Sequence, residues 1–462
     1  MVARWTPPVS LSSASDKTSF AYESTVKRWP TILTGIIDEL ARINGSLLAP
    51  EDDDKVKESK ELISKLAELI YEMRHDRELP LLPATGLPDD ITEYNAELES
   101  ARSAGTPLRW FNASWLYAEC YMYRRVRGLF ASTSHWATFD CFASQKIEAF
   151  RSSSKGIHTL ATAVAELVKK GKTDDEAVLH ADWQAMLEVC LWGNATDLSL
   201  LTSLTHEQIQ ELQSVERGSK FVLKDDFLKS WEHIKSLKDA RIDIVLDNSG
   251  FELFSDLVLA DWLLTLSPYA SEVVFHPKLM PWFVSDVQPH DFTLTLSSLL
   301  DPTFFPSTNG ATEEEKVALK EMVQRWQRYV DEGKFRLSTP LDLQMGDKGG
   351  ELADSWTTAY PYSDLPEKAP ALLAELQKSS LVIFKGDLNY RKLTSDANWS
   401  PTTPFETALG PLRGLFPLLS LRTCKADVCV GLAEGRAEEL DQEDPKWRIN
   451  GKYAVVSFVP RE

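Results

Sequence analysis

The sequence predicts an α/β protein in which a mainly parallel, three-layer α/β/α sheet fills the second half of the chain and helices fill the first. Three observations carry that reading. Apolar residues recur at helical spacing through the first half. After about residue 236 the texture changes, and short β-branched runs alternate with helical stretches. The first of those runs, Ile242 to Leu246, leads through Asp247-Asn248-Ser249-Gly250 into a helical segment and then Glu272 to Phe275, the order of a βαβ unit.

In chain order, Ile32, Leu33, Ile36, Ile37 and Leu40 share one helical face after Trp29, and Leu62, Ile63, Leu66, Leu69, Ile70 and Met73 repeat the pattern. Glu51 to Asp54 reads as a solvated loop or a helix start. Asp89-Asp90 and Ser103 to Pro107 mark breaks. Helices are expected over Ala113 to Leu129, Lys146 to Lys170 and Asp174 to Trp192. In the second half the segment after Gly250 reads as amphipathic. Further strands are expected at Phe335 to Ser338, Leu381 to Phe384, Leu418 to Leu421, Val428 to Val430 and Ala454 to Val459. Their alternation with helices implies parallel pairing. Asp301 to Thr312, Pro340 to Trp356 and Thr394 to Pro404 read as irregular loops, and no internal repeat is evident. A chain of 462 residues outgrows a single core. We expect a helical region over 1–235 that contributes a pocket wall, and an α/β catalytic domain over 236–462.

Composition narrows the function classes. A net charge of −19 without a basic stripe argues against nucleic acid as partner, because binding a polyanion depends on displacing its counterions. A small phosphate remains compatible if a metal and a few basic side chains invert the local field. The five cysteines are scattered with no CxxC pair, which argues against a disulfide framework or a zinc knuckle and points to a reducing compartment, cytosol or nucleus. The first eight residues lack the apolar core of a signal peptide. Leu253 to Leu266, the most apolar stretch, is interrupted by Asp256 and Asp261 and is too short for a membrane span. The sequence sets no oligomeric state.

Chemistry concentrates at strand ends, where open α/β sheets bind their ligands. Asp247 and Asn248 follow an apolar strand and offer two hard oxygens suited to Mg²⁺ or Mn²⁺. Gly250 allows a sharp turn into a helix whose first turn holds Glu252. The same residues also make a good turn and N-cap. Asp286, in Phe283-Val284-Ser285-Asp286, trails a second apolar run; it completes a three-oxygen set if the sheet brings the two turns together, and is otherwise a cap. His276 and His290 are left outside the metal set. Leu381 to Phe384 leads into Lys385-Gly386-Asp387-Leu388-Asn389-Tyr390-Arg391, read as a polar turn. There Lys385 or Arg391 could neutralise phosphate oxygens while Asp387 and Asn389 bind hydroxyls, although Lys385 could equally support the turn. Leu418 to Leu421 leads into Arg422-Thr423-Cys424-Lys425, another basic strand end.

Together these segments resemble the damage-control phosphatase family, formerly domain of unknown function 89. The likeness is greatest to its third subfamily, the sugar-phosphate phosphatases once described as acidic-residue methyltransferases, whose Arg-Thr-x-Lys signature matches Arg422 to Lys425. Trp110 to Arg124 and Leu191 to Leu200 also look like family segments, so the resemblance runs from about residue 20 to the C-terminus. It implies a helical region packed on a Rossmann-like domain, and a divalent metal (Mn²⁺, Mg²⁺, Co²⁺ or Ni²⁺) held by Asp247, Asn248 and Asp286. It further implies that Asp387, Leu388, Asn389, Tyr390, Arg391 and Lys425 grip a small phosphorylated metabolite, with Glu252, Lys385 and Arg422 beside them and Asn194 and Asp197 lining the pocket. Glu119 and Arg124 are weaker candidates.

The chemistry expected is phosphomonoester hydrolysis, with fructose 1-phosphate, fructose 6-phosphate or pyrophosphate among the substrates. Asp247, Asn248, Asp286 and Lys425 would form the catalytic group, and the nucleophile would be either a water or Asp247 itself. The rivals are an S-adenosylmethionine-dependent carboxyl methyltransferase and a non-catalytic metabolite-binding protein. A methyltransferase of this layering usually carries a Gly-rich turn after its first strand; Asp-Asn-Ser-Gly has one glycine and two metal-friendly oxygens.

Overall fold

The central strands form because alternate residues of short, mostly apolar runs face two different cores. A computed structural model describes residues 5–47, 49–84, 90–193, 221–305, 310–347 and 349–462. The strands are β1 (Val222–Asp225), β2 (Ala240–Val245), β3 (Ala270–His276), β4 (Phe335–Leu337), β5 (Leu381–Lys385), β6 (Leu418–Thr423) and β7 (Ala454–Val459). They form one sheet in the order β1-β7-β6-β5-β2-β3-β4, parallel at every pairing except β6 with β7. Ile242, Ile244, Val273, Phe275, Leu381 and Ile383 enter a core shared with helices Ser154–Lys170, Glu176–Trp192, Phe251–Thr265 and Glu313–Asp331. Val245, Val382, Phe384, Leu418 and Val455 enter a second core on the opposite face with Trp356, Leu372, Phe405 and Leu440. This is the expected three-layer arrangement. The helices between residues 154 and 192 thus belong to the sheet's packing although they lie in the helical half of the chain.

A third core fixes the position of the site. Helices Trp29–Asn44, Asp53–Arg74 and Trp115–Ala131 pack with Met280, Trp282, Leu388 and Ala426, which lie in segments beyond the carboxyl ends of β3, β5 and β6. The helical region therefore caps those strand ends. An N-terminal arm straps the cap to the sheet domain. Ser12 donates its N–H to Asp396 O (3.0 Å) and accepts from Trp115 N (2.7 Å), while Asn398 N donates to Ser10 O (2.8 Å).

Several local expectations change. The helix expected over 146–170 is two, Ala143–Ser152 and Ser154–Lys170. The segment after Gly250 is not amphipathic: every residue from Phe251 to Leu263 is buried. Residues 428–430 form no strand because their backbone serves side chains, Val428 O accepting from Arg422 and Val430 N donating to the Tyr390 hydroxyl. The polar turn after β5 is the first part of helix Gly386–Leu393, entered without a loop because Gly386 takes φ +83°.

Candidate functional site

From β2 the chain crosses to β3 and β4 on one side, then returns to build β5 and β6 on the other. The crevice at such a reversal, outside the carboxyl ends of the strands, is where doubly wound sheets bind ligands. Asp247 stands there at the end of β2. Gly386 begins the helix at the end of β5, and a Cβ built on it would lie 1.8 Å from Asp247 Oδ2. The backbone approach is possible for glycine alone.

The two acidic tips meet. Asn248 and Asp286 form an antiparallel bridge, Val287 N donates to Asp247 O (2.9 Å), and Ser249 N donates to Ser285 O (2.7 Å). The loop bringing Asp286 here is strained: Phe283 and Val284 have φ of +44° and +72°, a region a β-branched residue rarely adopts. Asn248 donates Nδ2 to Asp247 Oδ2 and Glu252 Oε2, both at 2.8 Å, while its Oδ1 accepts from the Ser285 hydroxyl. The reversed amide would set an oxygen against two carboxylates, so the network fixes its orientation.

Asp247 and Asp286 are 5% and 1% exposed. Burial, then Glu252, then Asp286 push the Asp247 carboxyl well above the usual range. Burial foremost raises Asp286 to about 7, with Glu252 adding to it and Lys278 opposing. Neither Asp286 oxygen has a hydrogen-bond partner among the described residues. Buried carboxylates are normally paired or bound to a cation, and two neighbouring buried carboxylates offer hard oxygens for a divalent ion, with the Asn248 oxygen turned here to Ser285. The residues fit such an ion.

The remaining predicted residues divide. Asp387 accepts from Arg422 Nε (2.7 Å) and from the backbone N–H of Lys425 (3.1 Å), which ties the ends of β5 and β6 together. Lys425 is half-buried in that loop, close enough for its charge to oppose the raised Asp247 carboxyl. Lys385 faces the helix after β2, its Nζ 2.6 Å from Asp256 Oδ1 and 3.2 Å from Glu252 Oε1. Arg391 is buried between Glu119 (2.6 Å) and Asp396 (2.9 Å), with its guanidinium 3.6 Å from the Trp115 ring centroid. Arg422 also donates to Val428 O and Ala426 O and lies over Tyr390. Asn389 is buried, accepting from the Tyr362 hydroxyl (2.6 Å) and donating to Lys385 O (2.7 Å) and, at 3.3 Å, to Leu246 O. Leu388 packs in the cap core and Tyr390 in the second sheet core. Arg124 pairs with Asp90 inside the cap. Asn194 and Asp197 lie outside the described residues.

Sequence reasoning passed over Lys278. It is 1% exposed and donates Nζ to Leu246 O (2.8 Å), with Nζ 3.8 Å from Asp286 Oδ2. A lysine after His276-Pro277 carries no mark of burial; only its place just past β3, the strand beside β2, could have drawn notice. Elsewhere, Asp140, His290 and Asp291 bring three ligand atoms within 4.8 Å of one another and could hold an ion. Lys146 already supplies a cation there, 2.6 Å from Asp140 Oδ2 and 2.7 Å from Asp291 Oδ2. A cavity of about 690 Å³ lies between the arm, helix Ile91–Ser103 and Ala359 to Pro361, and no residue of the Asp247 cluster lines it. Among the described residues no helix is long and apolar enough to cross a membrane.

Known proteins match along nearly the whole chain. The family model for the damage-control phosphatase ARMT1-like domain matches residues 24–440. A Danio rerio protein named Damage-control phosphatase ARMT1 is 36% identical over 466 residues, 98% of this chain and 97% of the relative. Proteins of the same name from Xenopus tropicalis and Homo sapiens are 38% and 35% identical, each across 98% of this chain and 99% and 98% of their own lengths. A crystal structure of a duf89 family protein from Pyrococcus horikoshii aligns with a TM-score of 0.36 at 14% identity, covering 82% of this chain and 93% of that one. The chain belongs to the damage-control phosphatase ARMT1-like domain family.

Proposed function

We propose that this protein is a divalent-metal-dependent phosphatase of small phosphorylated metabolites, sugar phosphates foremost, with Asp247, Asn248 and Asp286 holding the ion. One observation carries the reading: at the sheet's switch point, Asp286 presents a buried carboxylate without hydrogen bonds beside a second buried carboxylate, Asp247. The relatives' name supports the reaction class. A bound Mn²⁺, Mg²⁺, Co²⁺ or Ni²⁺ would polarise a phosphoryl oxygen and offset developing charge.

The chain's own residues do the rest. Asp247, Glu252 and Ser285 hold the Asn248 amide with Nδ2 toward the carboxylates and Oδ1 on the Ser285 hydroxyl, so ligation through Oδ1 would require the amide to turn as the ion binds. Lys425, placed through Asp387, offsets charge on the transferring phosphate, the kind of preorganised contact that dominates phosphoryl transfer. Lys385, Arg391 and Arg422 act as supports: each is buried and already engaged with carboxylates.

The test is a phosphate-release screen over fructose 1-phosphate, fructose 6-phosphate and pyrophosphate, with each of the four ions and with chelator. Chelation should abolish release. Asp247→Ala and Asp286→Ala should each reduce kcat/KM at least about a hundredfold, the scale of losing a preorganised charged group. Near-normal turnover in either variant, or in chelator, would refute the assignment.

A further inference from the structure

Lys278 is bonded to both acidic tips. Its backbone N–H donates to Val287 O (2.7 Å), one residue past Asp286. Its ammonium donates to Leu246 O (2.8 Å), one residue before Asp247, and lies 3.8 Å from Asp286 Oδ2. That last distance is too long for a hydrogen bond but close for a charge. Buried at 1% exposure, this fixed positive charge has little water to screen it.

We propose that Lys278 is a positioning residue that acts as the built-in counter-ion of the cation site, balancing the buried carboxylates when no divalent ion is bound and opposing the ion when one is. The inference rests on the reading of Asp247 and Asp286 as ion ligands. The physical reason is geometric. A divalent ion sits about 2 Å from a ligating carboxylate oxygen, so an ion on Asp286 comes within a few ångströms of this ammonium. A buried cation at that range repels the ion more strongly than surface charges do, and the repulsion keeps the ion exchangeable. In the ion-free protein the same ammonium makes burial of two carboxylates tolerable. Lys385 cannot take this part, because Glu252 and Asp256 already hold it.

A purely structural brace predicts the opposite sign for ion affinity, and this makes the proposal testable. Mn²⁺ is titrated by calorimetry into the full chain and its variants after chelator treatment, and thermal melting is recorded with and without Mn²⁺. Lys278→Met should tighten Mn²⁺ at least about tenfold, lower Tm without the ion, and enlarge the Tm gain on adding it, as linkage requires. Lys278→Gln keeps a donor for Leu246 O without the charge and should share the tighter binding, while Lys278→Arg should stay within about threefold of the wild type. Weaker or unchanged Mn²⁺ binding in both neutral variants overturns the proposal while leaving the site intact. If the wild-type chain binds none of Mn²⁺, Mg²⁺, Co²⁺ and Ni²⁺, the underlying site reading falls first and the inference falls with it. If Lys278→Met does not fold, Lys278→Gln decides alone.

Discussion

Gly386 holds a position that no other residue can occupy. Its φ of +83° and the 1.8 Å that would separate a Cβ at this position from Asp247 Oδ2 are independent obstacles, one conformational and one steric. Gly386→Ala should therefore displace Asp247 or the helix start. We expect at least about a hundredfold loss of phosphate release, since a 1 Å misplacement alone can cost that much; ion titration of the variant should show weakened binding. Lys392 poses a different single-residue problem. It is fully buried, it donates to Thr358 O (2.9 Å), and its ammonium lies 4.9 Å from the Tyr362 ring centroid. Burial first, and Lys278 after it, push its pKa down to about 8. The unfolded lysine titrates near 10.4. Between pH ~8 and ~10.4 the unfolded chain thus binds more protons than the folded one, so stability rises with pH across that window. Below pH ~8 the full penalty applies. Lys392→Met should remove this term, worth about 3 kcal/mol by linkage. Denaturant unfolding at pH 7 and pH 10 measures it as a difference, in which any fixed cost of the methionine cancels.

At the scale of elements, helix Phe251–Thr265 shows how far a sequence pattern carries. Its Asp256 and Asp261 suggest a solvent face, yet both are buried, Asp256 against Lys385 and Asp261 against Arg325. The partners lie far along the chain, and no local period announces them. Lys385→Met would leave Asp256 and Glu252 without their shared cation. A loss of about 3–5 kcal/mol is expected, the scale for removing one partner of a buried pair, and it should appear in chemical denaturation. The strands at the sheet's centre were legible because both faces are buried and they read as continuous apolar runs. Val222–Asp225 was not: it is a four-residue edge strand whose last two residues are charged. The acidic tips could be placed at strand ends from Asp247-Asn248 and Asp286 alone. Their meeting could not, since it depends on the positive-φ turn at Phe283 and Val284, which no sequence rule expects from those residue types. The partners of the basic residues were hidden for a related reason. A lysine or arginine after a strand looks like a solvated phosphate contact, whereas Lys385, Arg391 and Arg422 have carboxylate partners up to 272 positions away.

For the whole molecule, one of those partners, Glu119, joins the helical cap to the sheet. Glu119 of the cap accepts from Arg391 at 2.6 Å and from Arg28 and Trp29 on two neighbouring elements. Glu119→Ala would leave the buried Arg391 with Asp396 alone, and we expect a loss of about 3–5 kcal/mol. Because the cap core includes Met280, Trp282, Leu388 and Ala426 from beyond the strands, the loss should lower one shared transition; calorimetry showing the cap melting separately would contradict it. The overall charge of −19 fits the same picture. Such a charge would give the anionic substrates proposed above no general attraction, and on that proposal their recognition would rest on the few cations near the switch point.

The strap formed by Ser10 to Ser13 also imposes an order of events on a ribosome. Ser12 and Asn398, whose side chains bond in the finished fold, are separated by 386 positions. At roughly 5–20 residues per second, the arm leaves the exit tunnel some 20–80 seconds before its second docking edge has been made. Until then, of these two edges, the one at Ser114 alone can hold it, so a segment translated early is among the late ones to be locked into place.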